Sequence, residues 1–368
     1  MARLIASTLV GLVLAAACGG STPAATSGSS APAATTAASA APSTAGYSAT
    51  TLHFKSDGTP DLTGLTVHLG NAAGDATIGD TVVYITVQEL KKWGANADLQ
   101  LGSSNTTQLA VVSGQLQATA GPLPTDLDAG LNIFGNNQVH VDYLMVSSKL
   151  SSLSELKGKT VAIATTVSPD NYLLDGALAK AGLTRSDVKV QLTGSNGNSV
   201  NQMVQHQVDV AFVHADALGK LQKSGTVSVL ANGATLEPWD ADSYMTATAD
   251  WLKANPATAE AIDLAWLHAA WVFDKDKAQW VQNAVAYTKK AITSAEASSG
   301  YDALAKAQPW PFDGSGMDTA TLQKNFDSAK KSGQIKGQGD RPISQWAVTK
   351  PWTDAVAYFK AHAAAFEK

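Results

Sequence analysis

Short apolar runs alternate with longer stretches of helical periodicity from about Leu65 onward, and this alternation restricts the fold more than any other feature of the chain. Leu65 to Leu69 alternates apolar and polar residues as a strand does. A loop, Gly70 to Thr77, follows it. From Ile78 to Trp93 the positions Val82, Ile85, Glu89 and Leu90 recur at helical spacing, and the run stops at Gly94. Ala97 to Leu101, Thr106 to Gly114 and Leu116 to Thr119 repeat the order strand, helix, strand. Strands separated by helices pair in parallel, and a parallel sheet is covered by helices on both faces.

The alternation begins afresh in mid-chain. Ser151 to Asn171 reads SSLSELKGKTVAIATTVSPDN: a polar lead-in, the turn Leu156 to Lys159, a buried-type strand Thr160 to Ala164, and a polar loop before Pro169. Proline suits the first turn of a helix, and Ser168 is placed to cap it. That helix runs to Lys180 and ends at Gly182, and Thr184 caps the short turn after it. Val188 to Leu192, Val208 to Val213 and Val227 to Leu230 are further strands. Beyond Ala249 the pattern is helical, over Ala257 to Phe273, Lys277 to Ile292, Asp318 to Lys331 and Thr353 to Phe366. The stretch from about Thr50 to Lys368 exceeds the roughly 250–300 residues at which single cores stop growing, so two lobes are expected.

The N-terminal segment reads as an address. Arg3 precedes an uncharged apolar run of 14 residues, Leu4 to Ala17, shorter than the roughly 20 needed to span a bilayer, so residues 1–17 are expected to be a cleavable export signal. Cys18 is the only cysteine. It excludes an intrachain disulfide and leaves no second thiol for catalysis or metal binding. Residues 19–49 are Ala, Ser, Thr, Gly and Pro with a lone tyrosine and no charge, a composition that cannot offset its ordering entropy and so makes a flexible tether. The net charge is −5 from 26 basic and 31 acidic residues, and −6 once Arg3 is removed, which argues against nucleic acid as a partner.

Several of these features resemble the extracytoplasmic solute-binding proteins of ABC importers of the taurine, alkanesulfonate and nitrate type, related also to thiamine-precursor-binding proteins. Leu153, Glu155, Leu156, Lys157, Gly158, Lys159, Val161 and Ile163 match the family's lead-in to its second lobe. Gln108 to Ala118 can be laid over Val200 to Val210, with Gly114 against His206. Both segments are similar to the family phrase of a helix, a glycine turn and a short strand, and His206 departs from the glycine. Ala15-Ala16-Ala17-Cys18 resembles a lipoprotein box, with Leu14 one place early.

The resemblance implies a two-lobed periplasmic-binding-protein fold of type II, each lobe a mostly parallel sheet flanked by helices. Lobe one is expected at 50–145 and 249–368 and lobe two at 146–242, with hinge strands at about 138–147 and 243–248. It further implies a lipid on Cys18 that holds the protein to the outer face of the membrane. The implied partners are a small solute, a permease and its cytoplasmic ATPase.

In open α/β sheets ligands bind beyond the carboxyl ends of the strands, where backbone N–H groups at helix starts are free. Five loops meet that description, and the candidate ligand residues are Asn71, Asp75 and Thr77; Thr119 and Gly121; Thr165, Thr166, Ser168 and Asn171; Asn196 and Asn198; and His214 and Asp216. Trp239, after Pro238, is a candidate stacking residue or a hinge packing residue, and Asp75, Asp126 and Asp170 each read as a helix cap ahead of a ligand contact. Trp266 and Trp271 read as core, and Trp310 sits on a loop whose direction the sequence leaves open.

The three arginines, Arg3, Arg185 and Arg341, lie outside these loops, so no guanidinium fork for a dianion or sulfonate is at hand. The loops instead carry Asp75, Asp126, Asp170 and Asp216, which favour a neutral or amine-bearing ligand. No His-x-x-x-His spacing, Gly-x-Ser-x-Gly elbow or phosphate-binding Gly-Lys-Ser/Thr loop occurs, so neither metal, cofactor nor enzymatic activity is expected. The alternatives are a sensor or adhesin not tied to transport, or a pyrimidine-precursor-type enzyme on the same fold. Members of that enzyme class carry a cysteine-rich motif that this chain lacks.

Overall fold

Strand β1 (Thr66–Asn71), helix α1 (Thr81–Lys92), β2 (Asn96–Leu101), α2 (Ser104–Val112), β3 (Ala118–Pro122), α3 (Leu123–Asp128) and β4 (Asn132–Gln138) open the chain in strict alternation. The computed structural model describes residues 48–366 apart from 74–75, 140–141, 167, 226 and 238–242. The expected signal, Cys18 and all but the last residues of the expected tether lie outside the described residues, and what is described belongs to one unit, Thr44–Lys368. The second run is β5 (Tyr143–Ser147), β6 (Thr160–Ile163), α4 (Pro169–Lys180), β7 (Lys189–Leu192), α5 (Asn196–Val204), β8 (Val210–His214), α6 (Leu218–Ser224), β9 (Ser228–Asn232) and α7 (Gly233–Leu236). After β10 (Ser243–Ala247) come only helices: α8 (Ala249–Ala254), α9 (Pro256–Lys275), α10 (Lys277–Tyr287), α11 (Ser294–Ala307), α12 (Thr319–Lys331), α13 (Lys350–Ala361) and α14 (Ala363–Phe366).

The strands form two five-stranded sheets with one plan, β2-β1-β3-β10-β4 and β7-β6-β8-β5-β9. In each, the first three pair in parallel and the fourth is antiparallel. That fourth strand is the one arriving from the other sheet: β5 follows β4, and β10 follows α7. The segment read as one strand from Gln138 to Val146 is therefore two strands in two sheets, parted at residues 139–142. The return strand expected at 243–248 is built into the first sheet between β3 and β4. Gly70, read as loop, lies within β1, where a Cβ would meet Thr119 Oγ1 at 2.7 Å.

The repeat between Gln108–Ala118 and Val200–Val210 extends to the hydrogen bonds. Ser103 and Ser195 cap α2 and α5. Gln115 and Leu116 N–H both donate to Ala110 O, as Gln207 and Val208 N–H both donate to Gln202 O. His206 takes the left-handed φ of 60° where Gly114 has 77°, so the turn is the same despite the histidine.

Helix α9 is apolar nearly all round and is buried between α1 and α13 as the core of the first lobe, with Trp266 wholly enclosed. Trp310 packs at 4.8 Å from Phe273 and 5.0 Å from Trp280, ring centre to ring centre, which places it in this core. Helix α11, a segment the periodicity left unassigned, leans instead on the second lobe: Ser299 faces Gly219, and Gly300 faces Ile78 and Asp216. One apolar cluster therefore runs from Leu69 and Trp266 through to Met203 and Val213. Among the described residues no helix is long and apolar enough to cross a membrane.

Candidate functional site

The segments that follow β1 and β8 meet, and four acidic or imidazole side chains come together there. Asp80 comes from the head of α1, Asp142 from the link between β4 and β5, and His214 and Asp216 from the end of β8 and the turn after it. His214 Nδ1 lies 3.0 Å from Asp142 Oδ1, and its ring packs 4.2 Å from that of Tyr143. Ala215 N–H donates to Asp142 O at 2.8 Å, which fixes the turn that carries Asp216. Across the lobes, Gly79 N–H donates to Asp216 Oδ2 at 3.1 Å. Gly79 is itself crowded by acids: a Cβ there would stand 3.5 Å from Asp142 Oδ2 and 3.9 Å from Asp216 Oδ2. Thr77 Oγ1 donates to Asp80 Oδ2 at 2.6 Å.

The carboxyls act on one another. Burial pushes Asp216 up to about 6; a charged His214 pulls it down, while Asp142 and Asp80 push it up. Burial raises Asp80 as well, against the hydrogen bond from Thr77, the nearby amide of Asn71 and the charge of His214. Burial works against ionised Asp142 most strongly of all, but the charge and hydrogen bond of His214, with a bond from Gln138, outweigh it and hold that carboxyl below the ordinary range. Asp170, raised by burial, also feels His214. Tyr287, from α10, is raised by burial and by Asp80, and lies beside Asn71.

The structure brings Asn71, Thr77, His214 and Asp216 of the sequence candidates to this place. It does not bring Thr119 or Gly121, which are buried in β3; Gly121 covers Asp126, whose oxygens a Cβ would meet at 2.8 Å. Thr165, Thr166, Ser168 and Asn171 close a local turn: Thr165 N–H donates to Ser168 Oγ, and Asn171 Nδ2 to Thr166 O. Ser168 makes no cap on α4, because its hydroxyl is engaged by Thr165 O and the Asp170 carboxyl. Asn196 and Asn198 stand at the start of α5, where Asn198 serves the turn through Ser195 Oγ and Thr193 O.

Asp126 and Asp170 are not caps either. Asp126 accepts from Gln108 and Thr246, and Asp170 from Ala164 N–H. Asp75 and Trp239 lie outside the described residues. Asp80, Asp142 and Tyr287 were not foreseen. Asp80 looks like an ordinary helix cap, Asp142 sits inside an apparent strand, and Tyr287 is far off in sequence. The one available signal was that Asp80 stands three residues after Thr77 at a helix start.

The two arginines among the described residues are engaged elsewhere. Arg185 bonds Asp175 Oδ1 at 2.6 Å and Asn171 O on the flank of α4. Arg341 bonds Asn132 and Leu131 O at the far end of the first sheet. Among the described residues no group of three histidine, cysteine or acidic side chains is arranged to hold a metal ion.

Residues 144–245 match the family of periplasmic substrate-binding proteins of phosphonate ABC transporters. No curated protein matches the chain in sequence. Among solved structures, a putative periplasmic sulfonate-binding protein from Methylobacillus flagellatus is 19% identical, with a TM-score of 0.63 over 81% of this chain and 96% of that one. The periplasmic aliphatic sulphonate binding protein from Escherichia coli is 15% identical, with a TM-score of 0.62 over 77% of this chain and 91% of that one. A desulfurization enzyme is 12% identical, with a TM-score of 0.53 over 80% of this chain and 99% of that one. The fold is thus the two-lobed one of periplasmic binding proteins, as the resemblance implies.

Proposed function

We propose that the protein is the solute-binding component of an ABC importer, tethered to the outer face of the membrane through a lipid on Cys18, and that it captures a small neutral or amine-bearing solute between its lobes. The observation that carries this reading is the convergence of Asp80, Asp142 and Asp216 on the place where the two lobes touch, with no arginine among them. Groups on both lobes bind the solute, so its affinity for the closed form exceeds that for the open one, and only this difference drives closure. A permease then distinguishes the closed, loaded shape. Relatives by fold bind sulfonates, but carboxylates that already repel one another repel a further anion more.

A thermal-shift screen of the full chain against amines, nucleobases, vitamins, sulfonates and nitrate tests the reading. A ligand at 100 times its Kd adds about 2.7 kcal/mol of stability. A response to sulfonates alone sinks the charge argument. Turnover of a sulfinic acid in place of binding sinks the receptor reading.

A further inference from the structure

Helix α1 has 12 residues, no acidic residue in its first turn and no side-chain cap from Asp80, whose carboxyl turns to Thr77 instead. Negative charge reaches its head from the other lobe, through Asp216 on Gly79 N–H. The approach is built in. Helix α11 lends Gly300 at the point where Ile78 and Asp216 meet, and a Cβ there would lie 2.6 Å from Ile78 Cδ1 and 3.5 Å from Asp216 Cβ. Beside this contact Asn71 is 4% exposed, and its Nδ2 has no hydrogen-bond partner although its amide neighbours Asp80 and Tyr287. Tyr287 Oη is likewise buried and unpartnered. The place thus holds two buried polar groups that need a partner and three carboxylates crowded together.

We propose that Asp216 is a built-in occupant of the anion position at the head of α1, and that it selects for a small amine or quaternary ammonium compound bearing an uncharged hydrogen-bond acceptor. The inference rests on the receptor reading. An anionic solute has to displace a carboxylate that is tethered, and therefore present at high effective concentration, while facing Asp80 and Asp142. A cation does not compete for Gly79 N–H. It neutralises the repulsion that Asp80, Asp142 and Asp216 exert on one another, which strengthens the Asp216 contact between the lobes, and its acceptor meets Asn71. One residue therefore excludes the anion and couples the cation to closure.

The test compares the full wild-type chain with Asp216→Ala and Asp216→Asn, by thermal shift and calorimetry, using ethanesulfonate and methylphosphonate as anions and ethanolamine and choline as cations. Wild type is expected to ignore millimolar anions. Asp216→Ala, with Gly79 N–H released, gains a dose-dependent anion response and loses at least about tenfold in affinity for whichever cation wild type binds. Asp216→Asn keeps an oxygen for Gly79 and so preserves the lobe contact. It loses cation affinity similarly and gains less anion response, which separates the role of the charge from any folding defect of the alanine variant. The proposal is overturned if wild type already responds to the anions, or if neither variant gains an anion response. The receptor reading fails separately, when no solute of any class shifts the wild-type melt, whatever the Asp216 variants do.

Discussion

Asp126 and Asp216 both follow the third strand of their sheets, Asp126 four residues beyond the end of β3 within helix α3 and Asp216 two residues beyond the end of β8 in the turn after it. Asp126 is enclosed and Asp216 half-buried, and burial lifts both carboxyls, to about 7 and about 6 respectively. Their donors differ. Asp126 is satisfied inside its lobe, accepting from Gln108 Nε2 on α2 at 2.6 Å and from Thr246 Oγ1 on β10 at 2.9 Å. Asp216 takes its hydrogen bond from Gly79 in the other lobe. A carboxyl that finds its donors at home fixes the lobe, whereas one that finds its donor abroad fixes the relation between lobes. The segment after the third strand thus carries a carboxyl for stability in one lobe and a carboxyl for closure in the other.

That contrast breaks most directly at Asp126. Asp126→Ala leaves the buried Gln108 amide without an acceptor and Thr246 Oγ1 with only its longer bond to Thr119 O at 3.3 Å, and is expected to cost about 3 kcal/mol in urea unfolding. Asp216→Ala is expected to cost under about 1 kcal/mol, since it unties only the lobes. Equal losses would remove the distinction.

The pH dependence sharpens it next. The folded Asp126 carboxyl holds its proton up to about 7 against 3.8 for the free group, so the stabilisation is full in acid and is lost as pH rises from about 4 to about 7. The fall is at most roughly 1.4 kcal/mol per pH unit, and Asp126→Asn should flatten it in melting curves taken at pH 5, 6 and 7. Asp216 acts in the same sense but ends near 6, and its share appears in lobe closure. Asp142, held low by His214, contributes oppositely: its stabilisation is lost as pH falls below the ordinary carboxylate range.

A wedge at the meeting point tests the lobe side alone. Gly300→Leu should lower stability by no more than about 1–3 kcal/mol, the usual cost of overpacking, offset in part because leucine favours a helix. It should enlarge the radius of gyration in solution scattering and weaken solute binding by about tenfold or more, since no side chain fits between Ile78 and Asp216. An unchanged radius would mean that the contact is not the closure point.

The lobes themselves were legible in the sequence, since alternation and the renewed start at Ser151–Asn171 are local patterns of apolar spacing. Strand β4 was not, because NIFGNNQ shows neither alternation nor an apolar run; its asparagines are buried by tertiary partners such as Ser315 O, which Asn136 Nδ2 reaches from β4. Helix α11, SAEASSGYDALAKA, has too few large apolar residues for a periodic stripe, and its glycine and serines matter because another element lies close against them. The acidic character of the site was readable from the loops, but its members changed. Asp126 and Asp170 turned inward, and Asp80 and Asp142 replaced them. Whether an aspartate faces its own lobe or the other depends on donors far away in the chain, which no local pattern contains.

The smallest effect concerns the repeat itself. Gly114 and His206 end equivalent helices with the same left-handed turn and the same pair of N–H groups on one carbonyl. A residue with a Cβ pays about 1 kcal/mol in that conformation, and glycine does not. His206→Gly is therefore expected to raise stability by up to about 1 kcal/mol, less the glycine's greater freedom in the unfolded chain and the contact of His206 Nδ1 with Ser148 Oγ at 3.4 Å. Gly114→Ala has open space for its methyl group, so its cost of about 1 kcal/mol comes from φ alone. Opposite signs in urea unfolding would show two copies of one turn that differ only in side chain. A loss in both variants would mean that the second lobe uses the histidine for more than the turn.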